Sequence, residues 1–362
     1  LTPFGVYVHV PFCRERCDYC AFATYTDRDH LRERYAEACV TELRRAAEAG
    51  DLAPATSVFF GGGTPSRLHP DTLCRILDAV PRAPGAEVTV ECNPEDADEA
   101  HLDAYRRAGV TRVSFGLQST EDHVLAGLGR RRVPHAAEIV SAAVTAAGFA
   151  TWNLDLIFGA VTESDGDWAA TLDHVLGLAH PPPHISAYGL TVEPGTPLAK
   201  DPGRHPDDDA QARRYERAEA VLTAAGYAWE EISNWARPGH ECRHNHLYWE
   251  QGDYAGIGSA AHSHRDGVRW WNVRTPDRYI DAVEGARSPE GGREVLTPAQ
   301  REFEALSLSL RMPRGVPWEC LERPEELAGL VAREDGRAVL TVRGRLLANE
   351  VGARIRSGIL HR

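Results

Sequence analysis

Three cysteines stand within eight residues near the start of the chain: Cys13, Cys17 and Cys20, in the spacing C-x3-C-x2-C, directly after the run Val6-Tyr7-Val8-His9-Val10-Pro11-Phe12. Thiolates bind both zinc and iron–sulfur clusters, so spacing has to separate the two. Structural zinc usually takes four protein ligands, often as two C-x2-4-C pairs. No second pair is present, since Cys39 falls in a helical pattern and His30 in a polar turn. Three thiolates on one loop fit a [4Fe-4S] cluster better, with one iron left open for chemistry. Zinc and unliganded redox thiols remain the alternatives that spacing alone allows. The other five cysteines, Cys39, Cys74, Cys92, Cys242 and Cys320, are scattered singly, which suits small buried hydrophobes in a reducing compartment rather than a disulfide scaffold.

Further along, Gly61-Gly62-Gly63-Thr64 follows a short apolar run, and glycine lets a backbone approach a ligand closely. The spacing matches neither the dinucleotide fingerprint nor the P-loop, so a phosphate site is poorly supported and a tight turn is the plain alternative. Glu91 and Asp155 close two other apolar runs and could accept hydrogen bonds from an amine or from ribose hydroxyls, or simply cap helices.

The elements that must position these residues alternate. Strands are expected at Val6–Val10, Val58–Phe60, Glu87–Cys92, Arg112–Phe115, Trp152–Ile157 and Ile185–Leu190. Helices are expected near 30–49, 70–80, 97–109, 121–128, 133–148 and 167–178, the first with Leu31, Tyr35, Cys39 and Leu43 on one stripe. Six strand–helix units of this kind make an α/β fold with a parallel sheet, either open and doubly wound or a curved partial barrel. The cysteines, Gly61 to Thr64, Glu91, Gln118, Asp155 and Tyr188 all fall where strands end, and parallel α/β folds bind ligands on that carboxyl edge. A linker rich in proline and aspartate is expected at 194–209, and helices at 210–225 and 299–312. An aromatic- and histidine-rich stretch fills 226–264, and a small hairpin is expected at 337–347. The expected division is therefore a barrel domain over 1–205 and a smaller α+β domain over 206–362.

At 362 residues and 43% hydrophobic content the chain can bury a large core. Lys+Arg number 40 against 53 Asp+Glu, a formal net charge of -13, which argues against a nonspecific grip on nucleic acid. Lys200 is the lone lysine, a bias of coding before one of function. No apolar run reaches membrane-spanning length, and Leu1-Thr2-Pro3-Phe4 does not read as a secretion signal, so a cytoplasmic location is expected.

Taken in order, Tyr7-x5-Cys13-x3-Cys17-x2-Cys20, Gly61-Gly62-Gly63-Thr64-Pro65-Ser66, Glu91-Cys92-Asn93-Pro94, Arg112-Val113-Ser114-Phe115-Gly116-Leu117-Gln118-Ser119 and Asn153-Leu154-Asp155-Leu156-Ile157-Phe158-Gly159 resemble the successive signatures of radical SAM enzymes of the oxygen-independent coproporphyrinogen III oxidase family. The likeness continues through His184-Ile185-Ser186-Ala187-Tyr188 and covers nearly the whole chain. It implies a partial (βα)6 barrel in which Cys13, Cys17 and Cys20 ligate three irons and S-adenosylmethionine chelates the fourth. It also implies that Tyr7 and Tyr19 belong to the cofactor site, Tyr19 beside cluster and adenosine. Gly62, Gly63 and Thr64 would approach the methionyl amine, Glu91 and Gln118 would hold polar groups of the cofactor, Arg130 would meet its carboxylate and Asp155 its ribose. Chemistry on such a scaffold is one-electron cleavage of the sulfonium to a 5′-deoxyadenosyl radical, which belongs to the cofactor while the protein positions and shields it.

Two departures bear on activity. The decarboxylating oxidases carry an extra cysteine two residues after the third, where this chain has Phe22, and the extension expected of them before the first strand is not part of this sequence. The pattern is similar to that of the heme-chaperone branch of the family, which keeps the cluster and cofactor site without porphyrinogen decarboxylation. His244-Asn245-His246-Leu247-Tyr248-Trp249 resembles a signature of that branch, with Tyr254-Ala255-Gly256-Ile257-Gly258 and Ala261-His262-Ser263 as its glycine turn. The resemblance thus implies heme as a third bound group, with His244 the expected heme contact and His246 behind it, and hemoproteins, respiratory ones included, as acceptors, with peripheral membrane contact at delivery. A neutral imidazole is a good iron ligand and aromatic faces suit a porphyrin; the plain alternative is that this segment packs a domain junction. Cys242, two residues before His244, is a weaker candidate for reaction with a heme vinyl group.

Overall fold

The computed structural model describes residues 2–356. Its first half alternates β1 (Phe4–Val10), α1 (Arg32–Glu48), β2 (Ala55–Gly62), α2 (Pro70–Asp78), β3 (Arg82–Cys92), α3 (Glu99–Ala108), β4 (Arg112–Gln118), α4 (Asp122–Gly127), α5 (Ala136–Ala146), β5 (Thr151–Phe158), α6 (Asp165–Leu176) and β6 (His184–Gly189). These strands pair in sequence order and in parallel, β1 with β2 through to β5 with β6. Helices cover the outer face, so strands such as β1, with Phe4, Val6, Val8 and Val10 buried, are apolar almost throughout. Local signals set the ends: a Ser164–Asp167 capping box starts α6, and Gly109, at φ 94°, lets the chain leave α3 left-handed. This is the α/β partial barrel expected from the sequence.

The remainder comprises α7 (Asp208–Ala224), β7 (Ala228–Glu231), β8 (Asn234–Ala236), α8 (Arg243–Trp249), β9 (Asp253–Ile257), β10 (His262–Arg265), β11 (Val268–Asn272), α9 (Pro276–Glu284), β12 (Glu290–Val295), α10 (Pro298–Ser309), β13 (Val316–Pro317), β14 (Val331–Glu334), β15 (Arg337–Leu340), α11 (Val342–Leu346) and α12 (Ala348–Gly352). Seven to twelve in this series do not form a sheet of their own. They extend the barrel sheet on both flanks, in the order β12-β11-β10-β9-β1-β2-β3-β4-β5-β6-β8-β7. The main hydrophobic cluster likewise includes Tyr215, Trp235, Ile257 and Tyr279 together with the barrel strands, while a separate cluster gathers residues between Leu306 and Ile355. The 205/206 boundary expected from composition therefore falls inside one continuous sheet. The expected hairpin is present but displaced: β14 and β15 turn at Asp335-Gly336, and Gly344 lies in α11, where a Cβ would meet the Leu330 carbonyl at 1.8 Å.

Candidate functional site

Parallel register lines up Glu91 of β3, Ser114 of β4, Asn153 of β5 and His184 of β6, and pairs Asp155 with both Gly116 and Ser186. Alternate residues of a strand share a face. These polar side chains are therefore stacked in two rows, the first running from the carboxyl end of β3 to the start of β6. Above them opens a cavity of about 580 Å³ whose wall includes all three cysteines, Tyr19, Gly62, Gly63, Thr64, Glu91, Gln118, Arg130 and Asp155. Twelve of the fourteen side chains marked by the sequence as cluster, cofactor or heme residues are cysteines or cofactor residues, and of those only Tyr7 is not on this wall; its hydroxyl is instead 3.1 Å from His9 Nδ1 inside the barrel.

The cysteine loop is pinched shut at its base, where the Cys13 N–H donates to the Tyr25 carbonyl (3.1 Å) and the Tyr25 N–H to the Pro11 carbonyl (2.7 Å). Asp18, inside the loop, is anchored by Arg204 (2.6 Å), and its carbonyl accepts the Leu198 N–H (3.0 Å). Thr64 Oγ1 lies 3.7 Å from Cys13 Sγ and Arg130 3.4 Å from Cys17 Sγ, so a hydroxyl and a cation already face two of the sulfurs. Burial raises the thiol pKa of Cys13 and of Cys20, with neighbouring sulfurs adding to it, so the ligand-free loop holds them as thiols. Sulfurs around a single zinc ion would sit roughly 4 Å apart, given a Zn–S distance of about 2.3 Å. The only cluster of His, Cys, Asp and Glu ligand atoms mutually within 4.8 Å among the described residues is Glu121, His123 and Asp167, not the cysteine triad. Three thiols on one loop, with a cavity open beside them and, among the described residues, no fourth protein thiol on its wall but Cys92, are the donor set of a cluster with one open iron.

Gly62, at φ 108°, packs so that a Cβ would stand 2.4 Å from the His9 ring, and no other residue fits there. Its N–H donates to Glu91 Oε2 (3.2 Å), while those of Gly63 and Thr64 donate to the Val10 and Phe12 carbonyls (2.8 and 2.9 Å). Burial, reinforced by repulsion from Asp155, pushes the Glu91 carboxyl up to about 8. Burial also raises Asp155, against hydrogen bonds from Ser186, Asn153 and Ser114. Arg130 stays cationic despite its burial, and it donates to the Gly116 carbonyl at 2.5 Å. Gln118, left-handed at φ 70°, lines the cavity with a buried Oε1 that has no partner. A buried orphan acceptor is costly, and a donor on a bound ligand relieves it.

His244 is not on the wall of this cavity. It is fully buried, with Nδ1 2.8 Å from Ser57 Oγ, Nε2 2.8 Å from the Tyr248 hydroxyl, and its ring stacked 5.3 Å from Phe59. Both nitrogens lie within hydrogen-bond distance of protein partners, and through Ser57 the ring ties α8 to β2. His246 pairs through Nε2 with Glu230 at 2.9 Å. Cys242 is buried beside Glu87. Residues not singled out from the sequence are Ser114 and Ser186, both bonded to Asn153, Asn153 itself, and Glu230, which reaches Asn153 through His184. The signal was present for three of them, as polar residues at every second position of β4, β5 and β6.

A parallel partial barrel carrying three loop cysteines above a polar strand-end cavity defines a class, and residues 7–175 match the family model of the radical SAM superfamily. The chain is 43% identical to the heme chaperone HemW of Mycobacterium tuberculosis (strain ATCC 25618 / H37Rv) over 96% of its own length and 94% of that protein's. It is 35% identical to the heme chaperone HemW of Escherichia coli (strain K12) over 84% and 80%. In fold it superposes on coproporphyrinogen III oxidase (HemN) from Escherichia coli with a TM-score of 0.84 at 22% identity, covering 97% of this chain and 89% of that one. The chain belongs to the HemW family of the radical SAM superfamily.

Proposed function

We propose that this protein is a heme chaperone, binding heme together with a [4Fe-4S] cluster and S-adenosylmethionine and passing the heme to hemoproteins. The observation that carries the reading is the likeness to HemW proteins over nearly the full chain. Phe22 supports it: the position where a decarboxylating oxidase carries a further thiol presents a phenyl ring that is 65% exposed at the rim of the cavity. Cys13, Cys17 and Cys20 hold the cluster. Asp155 takes the cofactor's ribose and Arg130 its carboxylate, opposite charges at opposite ends. Gly62, Gly63 and Thr64 keep their N–H groups inside the protein, so this edge offers acceptors, which suits an amine. Glu91 and Gln118 complete the acceptor side, and Tyr19 walls the cavity beside the cluster. Bound there, the cluster and cofactor supply one-electron cleavage of a sulfonium. Heme faces Phe22 and Tyr188, the second aromatic exposed at the rim, 39% accessible.

The test is anaerobic reconstitution followed by iron and sulfide analysis, titration with heme, and incubation with coproporphyrinogen III plus S-adenosylmethionine. Four irons per chain, heme uptake near one equivalent and no decarboxylation are expected. Formation of protoporphyrinogen IX would replace this reading with that of an oxidase, and zinc without sulfide would remove both.

A further inference from the structure

Beneath the cavity a chain of buried polar side chains leads away from the cysteine loop. Asn153 Nδ2 donates to Asp155 Oδ1 at 2.8 Å and to Ser114 Oγ at 2.7 Å. Asn153 Oδ1 lies 2.6 Å from His184 Nδ1, and His184 Nε2 lies 2.8 Å from Glu230 Oε2. Glu230 Oε1 accepts the N–H of Cys242, the residue that opens α8, at 2.9 Å, and His246 Nε2 stands 2.9 Å away as a charge neighbour without hydrogen-bond geometry. The side chains of His184 and Glu230 are each 1% exposed, whereas His246, on α8, is 30% exposed. One continuous path therefore joins the cavity wall to the helix that carries the His244-Asn245-x-x-Tyr248-Trp249 pattern.

A carboxylate buried this deeply is expensive unless its lone pairs are met, and here the His184 imidazole and the Cys242 amide meet it, with His246 close enough to add its charge. What the arrangement accomplishes is seen at Asn153, whose amide can present either its oxygen or its nitrogen to Asp155. Because His184 stands between two acceptors, a proton must lie between its Nε2 and Glu230 Oε2; Nδ1–H then donates to the Asn153 oxygen, and the Asn153 nitrogen is left to donate to Asp155. The flipped amide would set oxygen against oxygen and push the carboxylate off its place on the cavity wall. We infer that His184 and Glu230 are positioning residues for Asp155, and that through Glu230 the α8 segment bearing His246 sets how tightly the cavity holds a nucleoside ligand, S-adenosylmethionine. The inference rests on the proposed role of Asp155.

The test measures the dissociation constant of S-adenosylmethionine by calorimetry on the anaerobically reconstituted protein, with Tm and iron content followed alongside. Glu230→Leu should weaken binding about tenfold, roughly the loss of one well-placed hydrogen bond. Glu230→Gln, whose amide N–H can donate to His184 Nε2 and keep Nδ1–H on the Asn153 oxygen, should restore it to within about twofold, and His246→Ala should weaken it about threefold. On an Asp155→Asn background, Glu230→Leu should have no further effect, because the path ends on the group already lost. Unchanged binding in Glu230→Leu, or the same loss on both backgrounds, overturns the inference. If Glu230→Leu does not fold, His246→Ala at the exposed end decides: an unchanged Kd at unchanged Tm overturns it. Asp155→Asn binding as well as the unsubstituted protein overturns the cofactor-site reading instead, so the two failures are told apart.

Discussion

Glu91→Gln should make the ligand-free protein more stable above neutral pH and remove part of its pH dependence. In the folded chain burial and the neighbouring Asp155 push the Glu91 carboxyl from the usual 4.5 up to about 8. Between those values the folded state holds a proton that the unfolded chain has released. Stability therefore falls as pH rises, at about 1.4 kcal/mol per pH unit from this group. From 4.5 to 7 the loss is roughly 3 kcal/mol, and by pH 8 roughly 5 kcal/mol, where it levels off. The amide of Gln keeps an acceptor for the Gly62 N–H and carries no charge to bury. Chemical denaturation of protein without cluster or cofactor, followed between pH 5 and 8.5, should show the variant close to the parent at pH 5 and progressively more stable above it. Parallel stability curves for the two proteins would refute the reasoning, because they would mean that Glu91 is ionised in the fold at neutral pH.

Gly62→Ala should cost about 2–3 kcal/mol in denaturant unfolding, since a Cβ at φ 108° meets the His9 ring at 2.4 Å; a loss under about 0.5 kcal/mol would show that the turn relaxes freely. His244→Ala strips partners from Ser57 and Tyr248 and leaves a void beside Phe59, so stability should drop by about 3 kcal/mol while heme titration of the folded fraction is unchanged; loss of the heme absorbance shift at full stability would return this residue to a ligand role. Asp18→Ala frees the cysteine loop from Arg204, and the reconstituted protein should lose iron several-fold faster in air with a stability change of only about 1 kcal/mol; equal iron loss would show that the pinched base alone holds the loop.

Much of the barrel was legible because its strands carry buried apolar residues at least at every second position, and the glycines and acids near their ends are conspicuous against that background. The hairpin was misplaced because Gly344 reads as a turn residue, whereas its role is to let α11 lie against the Leu330 carbonyl. The segment after 205 read as a separate domain because its aromatic and histidine density differs from the barrel's, yet its strands are edge extensions of the same sheet. Composition registers what a segment contains and not which sheet edge it joins. His244 shows the same limit: an imidazole among aromatics serves heme or a hydrogen-bonded core equally well until its two neighbours, Ser57 and Tyr248, are known.

The sequence by itself determined the three-sulfur loop, its place after the first strand and the polar residues at successive strand ends, because cluster ligation and strand burial both leave marks at short range. Only the tertiary structure decided that Glu91 and Asp155 share one cavity and repel, that Gln118 keeps a buried acceptor unpaired there, and that Asp155 is tied through Asn153, His184 and Glu230 to His246. Those facts depend on distances between residues tens of positions apart, which register and crossover set and which no local pattern of side chains records.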